Sequence, residues 1–152
     1  MAMNRIFAVL AIAGFCFCQS AVAHASSFSI LSPIKGPALL QQCSRPTPRY
    51  VDSYWQPANA DVAELERRLV IFLKENSFGK RVFPLSAYHR QYVGFIKGGK
   101  RYIYGNFYTT AINRKLSTAA PVIVCDGGKD FWGIVYSMES KKLQDAVTNG
   151  PA

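Results

Sequence analysis

The sequence Pro121-Val122-Ile123-Val124-Cys125-Asp126-Gly127-Gly128-Lys129-Asp130-Phe131-Trp132-Gly133-Ile134-Val135-Tyr136 decides the fold. A β-branched run, an Asp-Gly-Gly turn and a strongly apolar run follow one another. Aspartate and glycine accept the positive φ that tight turns need, and β-branched and aromatic residues favour strands. The stretch predicts strand, turn and strand, with structural roles for Asp126, Gly127, Gly128 and Trp132. Cys125, where the first strand meets the turn, can tie another segment to the sheet.

The first 25 residues have the layout of a secretory signal peptide. Arg5 precedes an uncharged apolar run of 12 residues from Ile6 to Phe17, and small residues then offer cleavage after Ala23 or Ala25. An uncleaved membrane anchor is the alternative, but polar residues interrupt the end of the apolar segment. We expect residues 1–25 to be removed and the protein to be periplasmic or secreted, with no transmembrane span left.

Cleavage removes two of the four cysteines and leaves Cys43 and Cys125. Two cysteines in an exported chain most simply form one disulfide. A catalytic thiol is the alternative, but it needs a histidine partner, and histidines are scarce. The leader carries one arginine and no acidic residue, so the rest of the chain keeps nearly all of the formal net charge of +9. Such an excess favours anionic partners, or serves solubility alone.

Residues 26–57 are predicted to form an extended arm, because prolines and a glycine exclude one regular element. Each residue before a proline in Arg45-Pro46-Thr47-Pro48-Arg49 is pushed out of the helical region. Apolar arm residues, Tyr50 among them, are expected to lie on a core. We expect the arm to lie across the sheet, held by the bond from Cys43 to Cys125.

Residues 61–78 are predicted to form a helix, because apolar residues recur at steps of three and four. Asn59 or Asp61 can cap its start, and Gly79 is the predicted stop. The run 69–73 is apolar on all sides, which favours deep burial of this part of the helix; a strand there is the alternative.

A hairpin is predicted around Gly98-Gly99, between apolar runs at 90–97 and 100–108. A two-residue turn pairs Lys97 with Lys100, Phe95 with Tyr102 and Val93 with Tyr104. Residues 143–148 are predicted to return as a last strand. Residues 58–152 then form one α+β domain, in which an N-terminal helix packs on a curved antiparallel sheet of four to five strands. This layout is cystatin-like by analogy of fold alone.

The segment 91–152 is similar to a group of small exported bacterial proteins. The shared motifs are Cys125-Asp126-Gly127-Gly128, Phe131-Trp132-Gly133 and Asn149-Gly150. The group has no established activity. The resemblance implies an exported, compact, disulfide-bonded protein and adds no catalytic residue.

Catalytic and metal-binding patterns are weak. Asp126 and Asp130 flank the glycine turn and could bind calcium, but a calcium ion is coordinated by six to eight oxygens. An aspartate that accepts backbone hydrogen bonds in a turn is the simpler interpretation. Ser86, His89 and Asp126 allow a hydrolase triad by composition only, since no nucleophile elbow is present. No metal spacing, Walker loop or dinucleotide fingerprint is found, and we expect no cofactor.

Basic and aromatic residues occur together around the hairpin and in the connection after it. The predicted partner-binding residues are Lys97, Lys100, Arg101, Tyr102, Tyr104, Arg114 and Lys115. Single-strand nucleic-acid binders use this combination, but an exported protein rarely meets nucleic acid. We therefore predict a non-enzymatic binding module for a protein or an anionic envelope component. An inhibitor or immunity-type protein against an exported, acidic hydrolase is the alternative, and a hydrolase using His89 is the third.

Overall fold

The structure of the protein is a computed structural model that describes residues 28–111 and 119–151. Within these ranges the chain forms six strands and three α-helices. In chain order they are β1 (Phe28–Ile30), α1 (Gly36–Leu39), β2 (Ser53–Trp55), α2 (Asn59–Glu75), α3 (Gly79–Val82), β3 (Tyr88–Lys97), β4 (Lys100–Thr109), β5 (Phe131–Ser137) and β6 (Leu143–Thr148). The predicted leader, residues 1–25, and the predicted binding residues Arg114 and Lys115 lie outside the described ranges.

The strands form one mostly antiparallel sheet. β3, β4, β5 and β6 are consecutive antiparallel neighbours, while β1 pairs in parallel and β2 antiparallel with β3. The predicted α+β class is confirmed. The predicted count of four to five strands is wrong because the arm adds two short strands of its own. The single predicted helix is wrong because two four-residue helices accompany α2.

The predicted hairpin register is confirmed at all three predicted pairs, from Lys97 opposite Lys100 to Val93 opposite Tyr104. Gly98 and Gly99 have φ of 57° and 71°, the left-handed region that a two-residue hairpin turn requires and that glycine adopts without a steric penalty. The predicted last strand also forms, as β6 with the predicted bounds.

The helix begins and ends earlier than predicted. It starts at Asn59, and Asp61 is its third residue; the Asp61 carboxylate accepts a hydrogen bond of 3.0 Å from the N–H of Ala58. The periodic apolar residues Val62, Leu65, Leu69 and Leu73 are buried. The predicted deep cover of residues 69–73 is only partial, because Ile71 is 47 % exposed.

Gly79 does not stop this helix, which ends at Glu75. Gly79 instead begins α3, and its N–H donates to the side-chain oxygen of Asn76 over 3.0 Å. A Cβ at residue 79 would lie 1.6 Å from the carbonyl oxygen of Leu73. The glycine is needed for this close backbone approach and not for a helix stop.

The sheet carries a hydrophobic cluster on each face. On one face, α2 packs against Tyr92, Ile103, Phe107, Trp132, Ile134 and Tyr136. On the other, arm residues Leu31, Leu39 and Leu40 pack against Val93, Phe95, Tyr104 and Val135. The arm thus covers the face opposite α2.

Glu66 joins α2 to the sheet by polar contacts. It accepts a hydrogen bond of 2.6 Å from the Tyr92 hydroxyl, and it lies 2.9 Å from Nε of Arg90. Burial first, and the Glu66 carboxylate second, raise the pKa of Tyr92 well above its ordinary value. Tyr92 therefore stays protonated and can donate this bond at neutral pH.

The predicted disulfide is confirmed: Cys43 and Cys125 are bonded, with their Cα atoms 5.2 Å apart. The predicted strand at Pro121–Val124 is wrong, because these residues belong to no strand. β5 pairs instead with β4 and β6. No helix in the described ranges is long and apolar enough to cross a bilayer.

Candidate docking groove and the buried arginine behind it

A groove of about 470 Å³ lies between the arm and β6, on the sheet face that the arm covers. We call it the arm groove. Its lining residues are Pro46, Thr47, Pro48, Arg49, Tyr50, Lys97, Tyr104, Val135, Asp145, Ala146 and Val147. A neighbouring cavity of about 230 Å³ shares four of these residues and adds Phe95, Tyr102 and Gln144. The two cavities adjoin, and together we call them the trough.

The arm groove has a mainly apolar floor and charged residues around it. Tyr104 and Val135 belong to the hydrophobic cluster beneath the arm and are almost fully buried. Arg49, Lys97 and Asp145 are its charged lining residues. Ligand sites commonly combine an apolar lining with a few polar groups that set orientation.

Tyr50 and Asp145, which line the groove from the arm and from β6, both have backbone conformations that side chains normally avoid. Their φ angles are 58° and 54°. Aspartate tolerates the left-handed region fairly well, but for tyrosine it costs about 1–2 kcal/mol. Tyr50 is 88 % exposed, so burial of its ring does not offset that cost. The prediction that Tyr50 lies on the core is wrong.

Asp145 owes its position to a β-bulge. Gly133 faces Val147 and Val135 faces Gln144, so one residue of β5 lies opposite two residues of β6, Asp145 and Ala146. A bulge of this kind redirects a side chain and interrupts regular strand pairing. Here it accompanies the placement of a carboxylate at the groove.

Arg45 is buried directly behind the groove, next to Pro46 in the chain. Its Nε–H donates to the Tyr104 hydroxyl over 3.1 Å. Its two terminal amino groups donate to the side-chain oxygens of Asn149 and Asn106. Among the described residues no carboxylate lies within ion-pair distance of Arg45. Within that part of the chain, neutral oxygens therefore stabilise its positive charge.

Tyr104 connects the buried arginine with the groove. Burial raises the pKa of its hydroxyl, while the Arg45 charge and hydrogen bond act in the opposite direction. The hydroxyl accepts from Arg45, so its own proton remains available for donation. Tyr104 is thus hydrogen-bonded to the Arg45 guanidinium and also forms part of the groove floor.

Side-chain amides of the same network hold residues 120–122 on the sheet. Gln91 donates to the Ala120 carbonyl over 2.6 Å and accepts from the N–H of Val122 over 2.9 Å. Asn106 donates to the Val122 carbonyl over 3.0 Å. Because side chains satisfy these backbone groups, the segment does not need a neighbouring strand. This explains why the β-branched run at Pro121–Val124 forms no hairpin.

Asn149 holds the next residues in the same way. Its amide donates to the carbonyl oxygens of Val124 and Asp126, each over 2.7 Å. The turn that follows has positive φ at Asp126, Gly127 and Gly128, of 68°, 88° and 54°. Arg45, Gln91, Asn106 and Asn149 thus join the arm, the sheet and the 120–126 segment in one polar network.

Gly133 leaves the space that this network occupies. A Cβ at residue 133 would lie 2.5 Å from the Tyr104 hydroxyl and 3.1 Å from Nε of Arg45. We expect Gly133→Ala to lower the free energy of unfolding by about 1–3 kcal/mol, since it overpacks a filled site. Gly150→Ala is the matched control, because its nearest atoms would be 3.7 Å away. Urea unfolding of both variants checks this; equal effects would contradict it.

The structure brings together three of the predicted binding residues. Lys97 and Tyr104 line the arm groove, and Tyr102 lines the neighbouring cavity, where it also stacks on Phe95 at 5.2 Å between ring centroids. Lys100 and Arg101 do not line either cavity. Of the three predicted basic residues of the hairpin, Lys97 therefore lines the groove, and Lys100 and Arg101 lie outside it.

Arg101 has other contacts. Its guanidinium carbon lies 5.0 Å from the ring centroid of Trp55, and its backbone N–H donates to the Glu139 carboxylate over 2.9 Å. That backbone hydrogen bond is the main reason why the pKa of Glu139 is lowered. Arg101 thus joins β4 to β2 and to the turn before β6.

Sequence reasoning did not find Arg45, Arg49, Tyr50 or Asp145 as site residues. The two arginines that flank the proline-rich run 45–49 were a signal, but the sequence does not show that Arg45 is buried while Arg49 is exposed. Nothing local marks Asp145, because the bulge depends on how β6 pairs with β5.

The remaining chemical candidates are not assembled into a site. His89 lies opposite Tyr108 with ring centroids 5.5 Å apart, and no hydrogen bond to a serine or a carboxylate is found for it within residues 28–111 and 119–151. The same part of the chain contains no group of three or more potential metal ligands, so Asp126 and Asp130 stand without further acidic ligands there.

Comparison of the chain with models of protein families, with curated proteins and with solved structures found no match in any of the three. The resemblance to small exported bacterial proteins and the cystatin-like layout both stay predictions. The function proposed below accordingly rests on the geometry of the arm groove.

Proposed function

We propose that the protein is an exported, non-enzymatic binding module that docks another protein in the arm groove. The observation that carries this proposal is the pair of left-handed residues, Tyr50 and Asp145, that line one groove. Strained backbone conformations are held by the structure around them, and they cluster at active sites and ligand-binding sites. Tyr50 fits this pattern best, since its ring is left in solvent.

The residue types of the groove favour a protein partner. Tyrosine and arginine are enriched among the residues that contribute most to protein–protein binding, and Tyr50 and Arg49 are adjacent here. Another depression, of about 860 Å³, is lined by Phe28, Ile30 and residues around the start of α2, none of them charged. Its polar side chains are those of Gln56 and Asn59, and no charged group orients a ligand there, so we assign docking to the arm groove.

Export is supported by the leader-like N-terminus and by the disulfide, because disulfides persist in oxidising compartments. A periplasmic or secreted location follows from this proposal. The disulfide also anchors the arm that carries Arg49 and Tyr50, which keeps the groove preformed. Preformed sites lose less conformational entropy on binding.

Lys97 and Lys100 provide a matched test, because they face each other across the hairpin turn and only Lys97 lines the groove. The purified protein is immobilised and exposed to a native envelope extract at low salt. We expect a retained protein, and we expect Lys97→Ala to weaken its retention by about 5- to 30-fold, the effect of losing about 1–2 kcal/mol at an interface. Lys100→Ala should change it less than twofold.

Retention that neither variant changes would show that the groove is not the docking site. Equal loss of retention in Lys97→Ala and Lys100→Ala would indicate a diffuse charge effect at the hairpin tip. A captured hydrolase whose activity falls on binding would make the protein an inhibitor. No retained protein at any salt concentration would contradict the proposed function.

A further inference from the structure

We infer that the arm groove takes an extended segment of the partner protein in which a single acidic side chain is flanked by apolar residues. This inference rests on the proposed function and names the chemistry of its ligand. The groove offers three features that together select such a segment: a positive potential at one place, a limit on how much negative charge it accepts, and an apolar floor.

The positive potential has a buried source. Arg45 is about 94 % buried, makes no ion pair with the described carboxylates, and is hydrogen-bonded to Tyr104, which lines the groove. A charge in a low-dielectric interior is screened less than one in water, so its field reaches the groove floor. Arg49 and Lys97 add two more positive charges at the groove itself. A carboxylate is the complementary group.

The limit on negative charge comes from Asp145. Its carboxylate is the one acidic side chain among the residues that line the groove and the adjoining cavity, and the bulge in β6 places it there. Repulsion from Asp145 penalises a densely charged polymer or a phosphate dianion more than a single carboxylate. Specificity often depends on such an unfavourable contact with the wrong ligand.

The floor favours a peptide over a sugar chain. Pro46, Pro48, Val135 and Val147 present apolar surface, against which the hydroxyl groups of a sugar would lose their hydrogen bonds with water. Apolar side chains gain free energy at the same place. An extended peptide also suits the trough, because its successive side chains can enter two adjoining cavities.

The bulge determines how such a segment is held. Among the described strands β6 ends the sheet order and pairs with β5 alone, so its outer edge resembles a site for strand addition. The bulge at Asp145 and Ala146 interrupts a regular ladder along this edge. Recognition is therefore by side chains in the trough rather than by a continuous main-chain ladder.

The test uses two pools of capped heptapeptides and the full, disulfide-bonded protein labelled with ¹⁵N. One pool alternates Val, Leu, Ile or Phe with neutral polar residues and has one central Asp or Glu; the matched pool has Asn or Gln at that position. We expect the acidic pool to shift the amide signals of Arg49, Tyr50 and Lys97, and to bind at least tenfold more tightly than the amide pool.

Two variants are expected to change binding in opposite directions, and a third serves as their control. Tyr50→Gly should weaken binding of the acidic pool by at least tenfold, yet leave Tm unchanged or higher, because glycine accepts the left-handed conformation. Asp145→Asn should strengthen binding of the acidic pool two- to threefold. Asp126→Asn is the matched control, since Asp126 also has a positive φ but does not line the groove, and it should leave binding unchanged.

Equal binding of the two pools, or no shift with either, would overturn the inference. It would also be overturned if an oligomeric polyuronate or vesicles of anionic phospholipid produced the groove shifts more strongly than the acidic peptides did. In those cases the immobilised protein can still retain an envelope protein in a way that depends on Lys97 and not on Lys100. The failure of this inference is therefore distinguishable from the failure of the proposed function.

Discussion

Replacing Arg45 with alanine is expected to lower the free energy of unfolding by about 3–5 kcal/mol, the upper range for a point substitution. Arg45 is the shared donor to the side-chain oxygens of Asn106 and Asn149 and to the Tyr104 hydroxyl. Without it, two buried amide oxygens lose their hydrogen-bond donors, each at a cost of about 1–3 kcal/mol. The lost arginine stem adds a cavity.

Arg45→Met separates these causes, because methionine restores most of the volume and none of the hydrogen bonds. We expect it to lose about 2–3 kcal/mol, chiefly from the unpaired amides. Arg49→Ala is the control for charge alone: the residue is exposed and four positions away, and its loss should change stability by less than about 0.5 kcal/mol. Urea unfolding measures all three. A methionine variant as stable as the native protein would show that the network does not hold the fold.

Removing the disulfide is expected to cost up to about 4–5 kcal/mol, the chain-entropy value for a bond between residues 82 positions apart. The paired variant Cys43→Ser with Cys125→Ser tests this. Around the bond, Ser44 accepts from the N–H of Asp126 over 2.8 Å and from the N–H of Gly150 over 3.1 Å. These two contacts do not replace the loop closure that the bond provides.

Loss of the disulfide is expected to loosen the arm before it affects the sheet. In the reduced native protein and in the double serine variant, amide hydrogen exchange is expected to speed up in the arm and in residues 120–126, while β3, β4 and β5 stay protected. The reduced native protein is the control for the serine substitutions and should have the same urea midpoint as the variant. A loss below about 1 kcal/mol, or exchange that rises uniformly, would contradict this account.

The hairpin and the helix were predictable because local patterns determine them. Gly98-Gly99 sets the turn, and the two-residue turn sets every pair from Lys97 opposite Lys100 onwards. Apolar spacing set the buried side of α2, although its bounds moved by two or three residues. The disulfide followed from counting cysteines rather than from geometry.

Residues 121–136 show what local patterns cannot predict. Their β-branched run has the composition of a strand, yet side chains of Gln91, Asn106 and Asn149 bind its backbone. These residues lie 16 to 29 positions away, in both directions along the chain, and no local pattern shows that their amides converge there. The same holds for Tyr50, whose ring is apolar enough for a core but whose left-handed backbone directs it to solvent.

The amino-acid order alone determined the strands of the hairpin, the helix, the division of their side chains between two faces, and the one cross-link. Each depends on neighbours in the chain or on a count of residues. Only the tertiary structure decided that Arg45 is buried with no ion-pair partner among residues 28–111 and 119–151. It also decided that Arg49, Tyr50, Lys97 and Asp145 line one groove. The physical reason is that a site made by an arm, a hairpin end and a strand bulge exists only after long-range packing has brought them together.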